Sequence, residues 1–138
     1  TLDEFYRQIQ KNYGIPESRI RRFWDEPPQL NESILPYLEV LAKKGDVVLV
    51  SNAPKGFVES LFQKRGLTRY FKKIYSSSAL GLAKPDPRIY EYVIQDQHKS
   101  YEKIYMVDDN PKNLEPLPSL NVKGVLFTDN SSLEPLLK

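Results

Sequence analysis

Short apolar runs, each ending in polar residues and followed by a helix-like segment, constrain the fold of this chain most. Residues 47–50 form one such run in "DVVLVSNAPKGF", and residues 104–107 form another in "KIYMVDDNPKNL". Continuous apolar runs of this length are typical of strands buried on both faces of a parallel sheet. Further strands are predicted near residues 74–76 and 123–128. The alternation with helices from Asp46 onward predicts an α/β fold, a Rossmann-like parallel sheet with helices on both faces.

The residues before Asp46 predict helices alone. Thr1 begins the pattern of a capping box for the first helix, and Asn31 suits the cap of the helix that precedes the first strand. The proline pair at 27–28 reads as a joint. We therefore predict two parts: a helical segment, 1–30, and an α/β core, 31–138.

Composition removes several classes of function. The 138 residues carry 20 lysines and arginines against 18 acids, a net charge of +2, so no strong field for nucleic acid follows. With 0 cysteines and 1 histidine, disulfides, cysteine-ligated zinc and a Ser-His-Asp triad have no support. No apolar run approaches the ~20 residues that span a bilayer, and no signal peptide pattern opens the chain. We expect no membrane partner and a cytoplasmic location.

Polar residues follow the predicted strands where a ligand would bind. In open parallel sheets, ligands bind beyond the carboxyl ends of the strands. Ser51 and Asn52 follow the first strand, Asp108 and Asp109 follow a later one, and Lys84 precedes a helix between them. Each alone has an ordinary reading as a turn, a helix cap or a surface lysine. Together they can cradle an anion, neutralise it, and hold Mg²⁺ through carboxylates. That combination predicts phosphoryl transfer.

Lys84 has one further mark in the sequence. It precedes Pro85, which disfavours the α region at Lys84 and favours an extended backbone there. Asp86 and Pro87 then begin a helix at once, so the turn restricts where the lysine points.

Three segments resemble motifs of a known family. "VVLVSNAP", "GLAKPDPRIYEYV" and "IYMVDDNPKNL" are similar, in order and spacing, to motifs II, III and IV of the haloacid dehalogenase-like hydrolases. The helices before Asp46 look like the end of a small helical cap and the helix that leads to motif II. The resemblance covers nearly the whole chain and is closest to phosphatase-like members with a small cap.

The resemblance implies a Mg²⁺-dependent phosphohydrolase acting on a small phosphorylated metabolite. Ser51, with a backbone N–H at Asn52, would bind the phosphoryl oxygens, and Lys84 would bridge the phosphate and the aspartates. Asp108 and Asp109 would hold Mg²⁺. Asn113 stands where many relatives have a second acid, which makes it a support rather than a main ligand.

The chain departs from the family at its nucleophile. The family attacks phosphate with the first aspartate of a D-x-D motif, at the end of a strand between those that end here at Ser51 and Asp108. No D-x-D occurs before Ser51. We therefore expect a fragment that lacks the central strand and is inactive by the family mechanism.

Three other interpretations remain open: a non-catalytic module, a receiver domain and a dehalogenase. A non-catalytic module could bind Mg²⁺ and phosphate, self-associate, or take a strand from another chain at its incomplete sheet. A response-regulator receiver domain uses similar residues, but its acids precede its Ser/Thr and Lys. Here Asp108 and Asp109 follow them, with Asp129 later still, so the order argues against a receiver. A dehalogenase would not need the acid pair.

Overall fold

The computed structural model describes residues 1–25 and 29–138, so the predicted joint at the proline pair lies outside the described residues. The described chain divides into two compact units, Thr1–Glu32 and Ser33–Lys138. Each unit is considered by itself.

The first unit contains the helices α1 (Leu2–Tyr13) and α2 (Glu17–Asp25). The predicted capping box is present, since the Glu4 backbone N–H donates to Thr1 Oγ1 at 3.3 Å and the Thr1 backbone amino group donates to the Glu4 carboxylate at 2.6 Å. Arg21 of α2 pairs with Asp3 of α1 at 2.5 Å, so a charge contact joins the two helices. The pair is exposed, and it contributes little beyond this orientation.

The second unit contains the strands in two parallel pairs. β1 (Val48–Ser51) pairs with β2 (Lys73–Ser76), and β3 (Tyr105–Asp108) pairs with β4 (Lys123–Leu126). The α/β class with parallel strands is therefore confirmed. Within the described residues β1 and β3 do not pair with each other, so the strands form two separate parallel pairs.

The two sheets nevertheless run side by side. Val50 of β1 and Met106 of β3 both pack against one core cluster, whose buried members are Ile89, Tyr90, Leu117 and Val122. Near the strand starts, the Tyr101 hydroxyl donates to Asp46 Oδ2 at 2.8 Å. The strands of both sheets therefore point the same way.

Burial along β1 differs from the prediction. The run was expected to be buried on both faces, but all four residues of β1 are only half-buried. Apolar strands in a parallel sheet normally have neighbours on both edges and both faces. Within the described residues β1 has a ladder partner on one edge only, which leaves its apolar side chains under-covered.

The helices of the second unit connect the strands. They are α3 (Leu35–Lys44), α4 (Phe57–Lys64), α5 (Ser77–Leu80), α6 (Pro87–Asp96) and α7 (Glu134–Leu137). A 3-10 turn at Glu32–Ile34 precedes α3, so the cap of α3 is Ile34 and the predicted cap at Asn31 is wrong.

The proline-rich segment after β3 forms no α-helix. It contains two 3-10 turns, Pro111–Leu114 and Leu117–Leu120. Pro116 and Pro118 cannot donate backbone hydrogen bonds, which breaks a longer helix into these short turns. Among the described helices, none combines the length and apolarity that crossing a membrane requires.

Candidate active site

The central contact of the site is a buried ion pair between Lys84 and Asp108. Lys84 Nζ lies 2.5 Å from Asp108 Oδ2, and the two side chains are only 11% and 5% exposed. Asp108 is the last residue of β3, and Lys84 lies in the turn before α6. The structure thus brings together two residues 24 positions apart that the sequence predicted to meet. Such a pair survives burial only when further hydrogen bonds satisfy the charges.

Those further hydrogen bonds come from the turn after β3. The Asn113 side-chain amide donates to both carboxylate oxygens of Asp108, at 3.0 and 3.1 Å. The Asn110 backbone N–H donates to Asp108 Oδ1 at 2.9 Å. Burial raises the pKa of Asp108, but the hydrogen bonds from Lys84, Asn110 and Asn113 lower it more, so the net pKa lies below the ordinary value. Asp108 is therefore held as a carboxylate.

Asn52 holds the turn that carries Lys84. Its side chain accepts a hydrogen bond from the Lys84 backbone N–H at 2.9 Å and donates one to the Lys84 carbonyl at 2.9 Å. This reciprocal pair joins the loop after β1 to the turn before α6. The peptide bond between Lys84 and Pro85 is cis. The sequence suggested a backbone role for Asn52 at an anion, whereas the structure shows its side chain positioning Lys84.

Ser51 and Asp109 keep their polar groups available. Ser51 is the last residue of β1 and is half-buried, and its hydroxyl has no hydrogen-bond partner among the residues that the structure describes. Asp109 follows Asp108 directly, is exposed, and makes no ion pair or hydrogen bond with the described part of the chain. Both side chains are therefore free to meet a ligand.

The donor chemistry fits a magnesium ion that keeps several of its waters. Mg²⁺ prefers oxygen ligands and is commonly held by one or two carboxylates together with substrate phosphate. Asp109 offers an exposed carboxylate at this strand end, and Asp108 beside it would bind the ion on exchanging one of its four hydrogen bonds from Lys84, Asn110 and Asn113. No group of three or more Asp, Glu, His or Cys residues that could enclose a metal occurs within residues 1–25 and 29–138. A dedicated all-protein cage is therefore not what these residues form.

Tyr90 belongs to the site and was not identified from the sequence. It is 4% exposed, and its hydroxyl donates to the Asn113 carbonyl at 2.7 Å. Burial, with a smaller effect of the Asp108 charge, raises the pKa of Tyr90 to about 12, so the hydroxyl remains a donor at neutral pH. The available signal was a tyrosine on the buried side of α6, where its hydroxyl must find a partner.

Asp129 lies outside this arrangement. It caps the 3-10 turn Asn130–Leu133, accepting hydrogen bonds from the Ser131 backbone N–H at 2.8 Å and from the Ser131 hydroxyl at 2.5 Å. Its carboxylate is thus occupied locally, as in any ordinary cap. The receiver-domain interpretation, which needs a further acid at the site, gains nothing from it.

Comparison with known proteins matches one protein family to most of this chain. A family model described as haloacid dehalogenase-like hydrolase matches residues 4–120. A drimenol cyclase of Aspergillus calidoustus is 29% identical over 134 residues, which cover 92% of this chain and 25% of the cyclase. The chain therefore spans about a quarter of that protein.

Two phosphatases are also similar to this chain. A sesquiterpene phosphatase of Aspergillus oryzae is 25% identical over 134 residues, covering 93% of this chain and 67% of the phosphatase. A D-ribitol-5-phosphate phosphatase of Bacteroides thetaiotaomicron is 36% identical over 87 residues, covering 58% of this chain and 42% of that protein. All three alignments leave part of the relative unmatched.

Proposed function

The chain belongs to the haloacid dehalogenase-like hydrolases, and on that premise we propose that it is the core of a Mg²⁺-dependent phosphatase acting on a small phosphorylated metabolite. The observation that carries this proposal is the buried pair of Lys84 and Asp108, tied through Asn52 to the strand end that presents the free hydroxyl of Ser51. A cation and a carboxylate meet there, next to the loop that begins at Ser51. Phosphoryl transfer needs this kind of positioning and charge neutralisation more than it needs covalent chemistry.

Each residue then has a role set by its chemistry. The Ser51 hydroxyl donates to an oxygen of the transferring phosphoryl group. The Lys84 ammonium, held by Asp108, places positive charge beside the same group. Asp108 and Asp109 would hold Mg²⁺, which when bound neutralises charge on the phosphate. Asn52 and Asn113 orient Lys84 and Asp108 rather than touching substrate.

The nucleophile must come from outside residues 1–138 under this proposal. We place it as an aspartate at the end of a strand that lies between β1 and β3. Two observations support that place: β1 and β3 each have a ladder partner on one edge only among the described residues, and β1 is only half-buried. The carboxylate would attack phosphorus as the bond to the leaving oxygen breaks, and that oxygen would take a proton from the second acid of the D-x-D motif to leave as the alcohol. Water would then give a proton back to that second carboxylate and attack phosphorus, which breaks the acyl phosphate, releases phosphate and restores both side chains.

The substrate class follows from the relatives by analogy. One relative is named as a sesquiterpene phosphatase and another as a D-ribitol-5-phosphate phosphatase, so both names describe removal of phosphate from a small organic molecule. Discrimination among such molecules would depend on groups that contact the organic part of the substrate rather than the phosphate.

Two substitutions in a polypeptide carrying this chain together with its upstream coding sequence test the proposal. Release of phosphate from p-nitrophenyl phosphate should require Mg²⁺ and should fall by about a hundredfold or more in Lys84→Ala and in Asp109→Asn. Lys72→Ala is a matched control, because Lys72 also pairs with an aspartate but at the other end of the sheet. Unchanged turnover in both site variants would contradict the proposed phosphatase function.

The unpaired strand edges favour one second candidate. A non-catalytic module could bind Mg²⁺ and phosphate, and could take a strand from another chain or from a second copy between β1 and β3. The reading frame upstream of Thr1 separates the two: an apolar run ending in D-x-D supports the enzyme, and a start codon near Thr1 supports the module. Light scattering of the 138-residue chain should show a dimer or larger species only if its own edges pair.

A further inference from the structure

Tyr90 carries a buried polar group that the roles above do not use. α6 turns Ile89, Tyr90 and Val93 into the core. A phenylalanine would fill the same volume, so packing alone does not require the hydroxyl. That hydroxyl donates to the backbone carbonyl of Asn113 at 2.7 Å, inside the protein. The question is what this hydrogen bond does for Asn113.

Asn113 sits on a segment with little rigidity of its own. The 3-10 turn Pro111–Leu114 has four residues, and its hydrogen-bond geometry is poorer than that of an α-helix. Its internal bonds include Asn113 N–H to the Asn110 carbonyl at 3.0 Å. The Asn113 amide must nevertheless stay within reach of both Asp108 oxygens. The bond from Tyr90 attaches this short turn to a ten-residue helix.

One segment thereby holds the Asp108 carboxylate from two directions. Lys84, just before α6, reaches Asp108 Oδ2 directly, and Tyr90, at the end of the first turn of α6, reaches the same carboxylate through Asn113. Asp86 caps the helix between them, which fixes their spacing. Displacement of the turn would move the amide while leaving Lys84 in place.

We propose that Tyr90 is a positioning residue whose hydroxyl fixes Asn113 and, through it, the orientation of the Asp108 carboxylate toward a bound metal. The proposal rests on the function inferred above, in which Asp108 serves Mg²⁺. Loss of a hydrogen-bond partner behind a ligating residue commonly lowers metal affinity by about 10–100-fold.

Tyr90→Phe in the 138-residue chain tests this, because it removes one oxygen and keeps the ring. Mn²⁺ serves as the probe, with free Mn²⁺ measured by electron paramagnetic resonance. We expect the dissociation constant for Mn²⁺ to rise about tenfold. Tyr75→Phe is the matched control, since Tyr75 is 3% exposed and its hydroxyl donates to Asp96, away from the metal ligands. It should bind Mn²⁺ as the unsubstituted chain does.

A second measurement reads the intermediate link without metal. The side-chain amide protons of Asn113 should exchange with solvent slowly in the unsubstituted chain and in Tyr75→Phe, and several-fold faster in Tyr90→Phe. Equal Mn²⁺ affinity together with equal Asn113 exchange in Tyr90→Phe would overturn the positioning role. Absence of Mn²⁺ binding by the unsubstituted chain would instead contradict the proposed metal site, and the Asn113 exchange would still decide whether Tyr90 positions the amide.

Discussion

At the scale of single residues, removing one member of the buried pair of Lys84 and Asp108 should lower the stability of the fold, because the other charge then lacks its partner. Lys84→Met keeps the length of the side chain and leaves Asp108 without its cation. We expect the free energy of unfolding to fall by about 3 kcal/mol, because a buried charge loses its partner. Urea unfolding of the 138-residue chain measures this change.

The double variant Lys84→Met/Asp108→Asn is the control for that prediction. Removing the charge of Asp108, which has lost its cation, should restore much of the lost free energy of unfolding, since uncharged partners of similar shape avoid the desolvation penalty. A double variant less stable than Lys84→Met alone would show that the charge of Asp108 is not what the lysine compensates.

At the scale of elements, β4 supports the turn that carries Asn113 by lying very close to it. A Cβ added at Gly124 of β4 would stand 3.3 Å from Leu114 Cβ and 3.3 Å from Leu117 Cδ1. Leu117 is fully buried, so it has little room to give. Glycine here allows the strand to approach the two 3-10 turns closely.

Gly124→Ala should therefore lower the free energy of unfolding by about 1 kcal/mol through overpacking. Gly45→Ala is the matched control, because nothing lies within 4 Å of its added Cβ and its backbone is extended. That variant should be neutral or slightly stabilising, since alanine reduces the freedom of the unfolded chain. Equal stability of the two variants by thermal and urea unfolding would contradict the close approach of β4.

At the scale of the second unit, charge contacts join the two sheets at both ends. Asp46, before β1, accepts hydrogen bonds from Lys72 before β2 and from Lys99 and Tyr101 before β3. The Lys72 and Tyr101 contacts, followed by that of Lys99, hold the pKa of Asp46 well below its usual range. At the other end, Lys84 joins the loop after β1 to Asp108. β1 and β3 are not joined by a backbone hydrogen-bond ladder, and these side-chain contacts at both strand ends partly replace it.

Acid should lower the stability of the fold below about pH 5. The pKa of Asp86 is lowered to about 2 by the Arg88 side chain and backbone N–H, and those of Asp46 and Asp108 are also lowered. Because their unfolded values lie near 4, the unfolded chain takes up protons first. Stability is therefore full above about pH 5 and falls as pH drops toward the folded values.

The midpoint of urea unfolding, followed from pH 6 down to pH 2.5, measures this loss. Asp46→Asn should flatten part of the slope, because one carboxylate with a lowered pKa is removed. A midpoint independent of pH across this range would contradict the charge contacts.

The sequence by itself determined most of the local structure and predicted which residues lie at the candidate site. Apolar runs specified the strands, caps such as Asp86 specified helix starts, and polar residues at strand ends marked Ser51, Lys84 and Asp108 as neighbours. These features depend on residues close in the chain, or on the general rule that parallel strands end together. The family resemblance, rather than the pattern itself, implied Asn113 as a support for the acid pair.

Only the tertiary structure decided how those residues are used. In the fold, the Asn52 side chain bonds the Lys84 backbone, and the Tyr90 hydroxyl reaches the Asn113 carbonyl. β1 and β3 form no ladder with each other. A hydrogen bond between groups 23 or 32 positions apart depends on the packing of whole elements, which no local pattern encodes. Strand pairing likewise depends on which edges meet, and apolar periodicity describes the faces of a strand but not its edges.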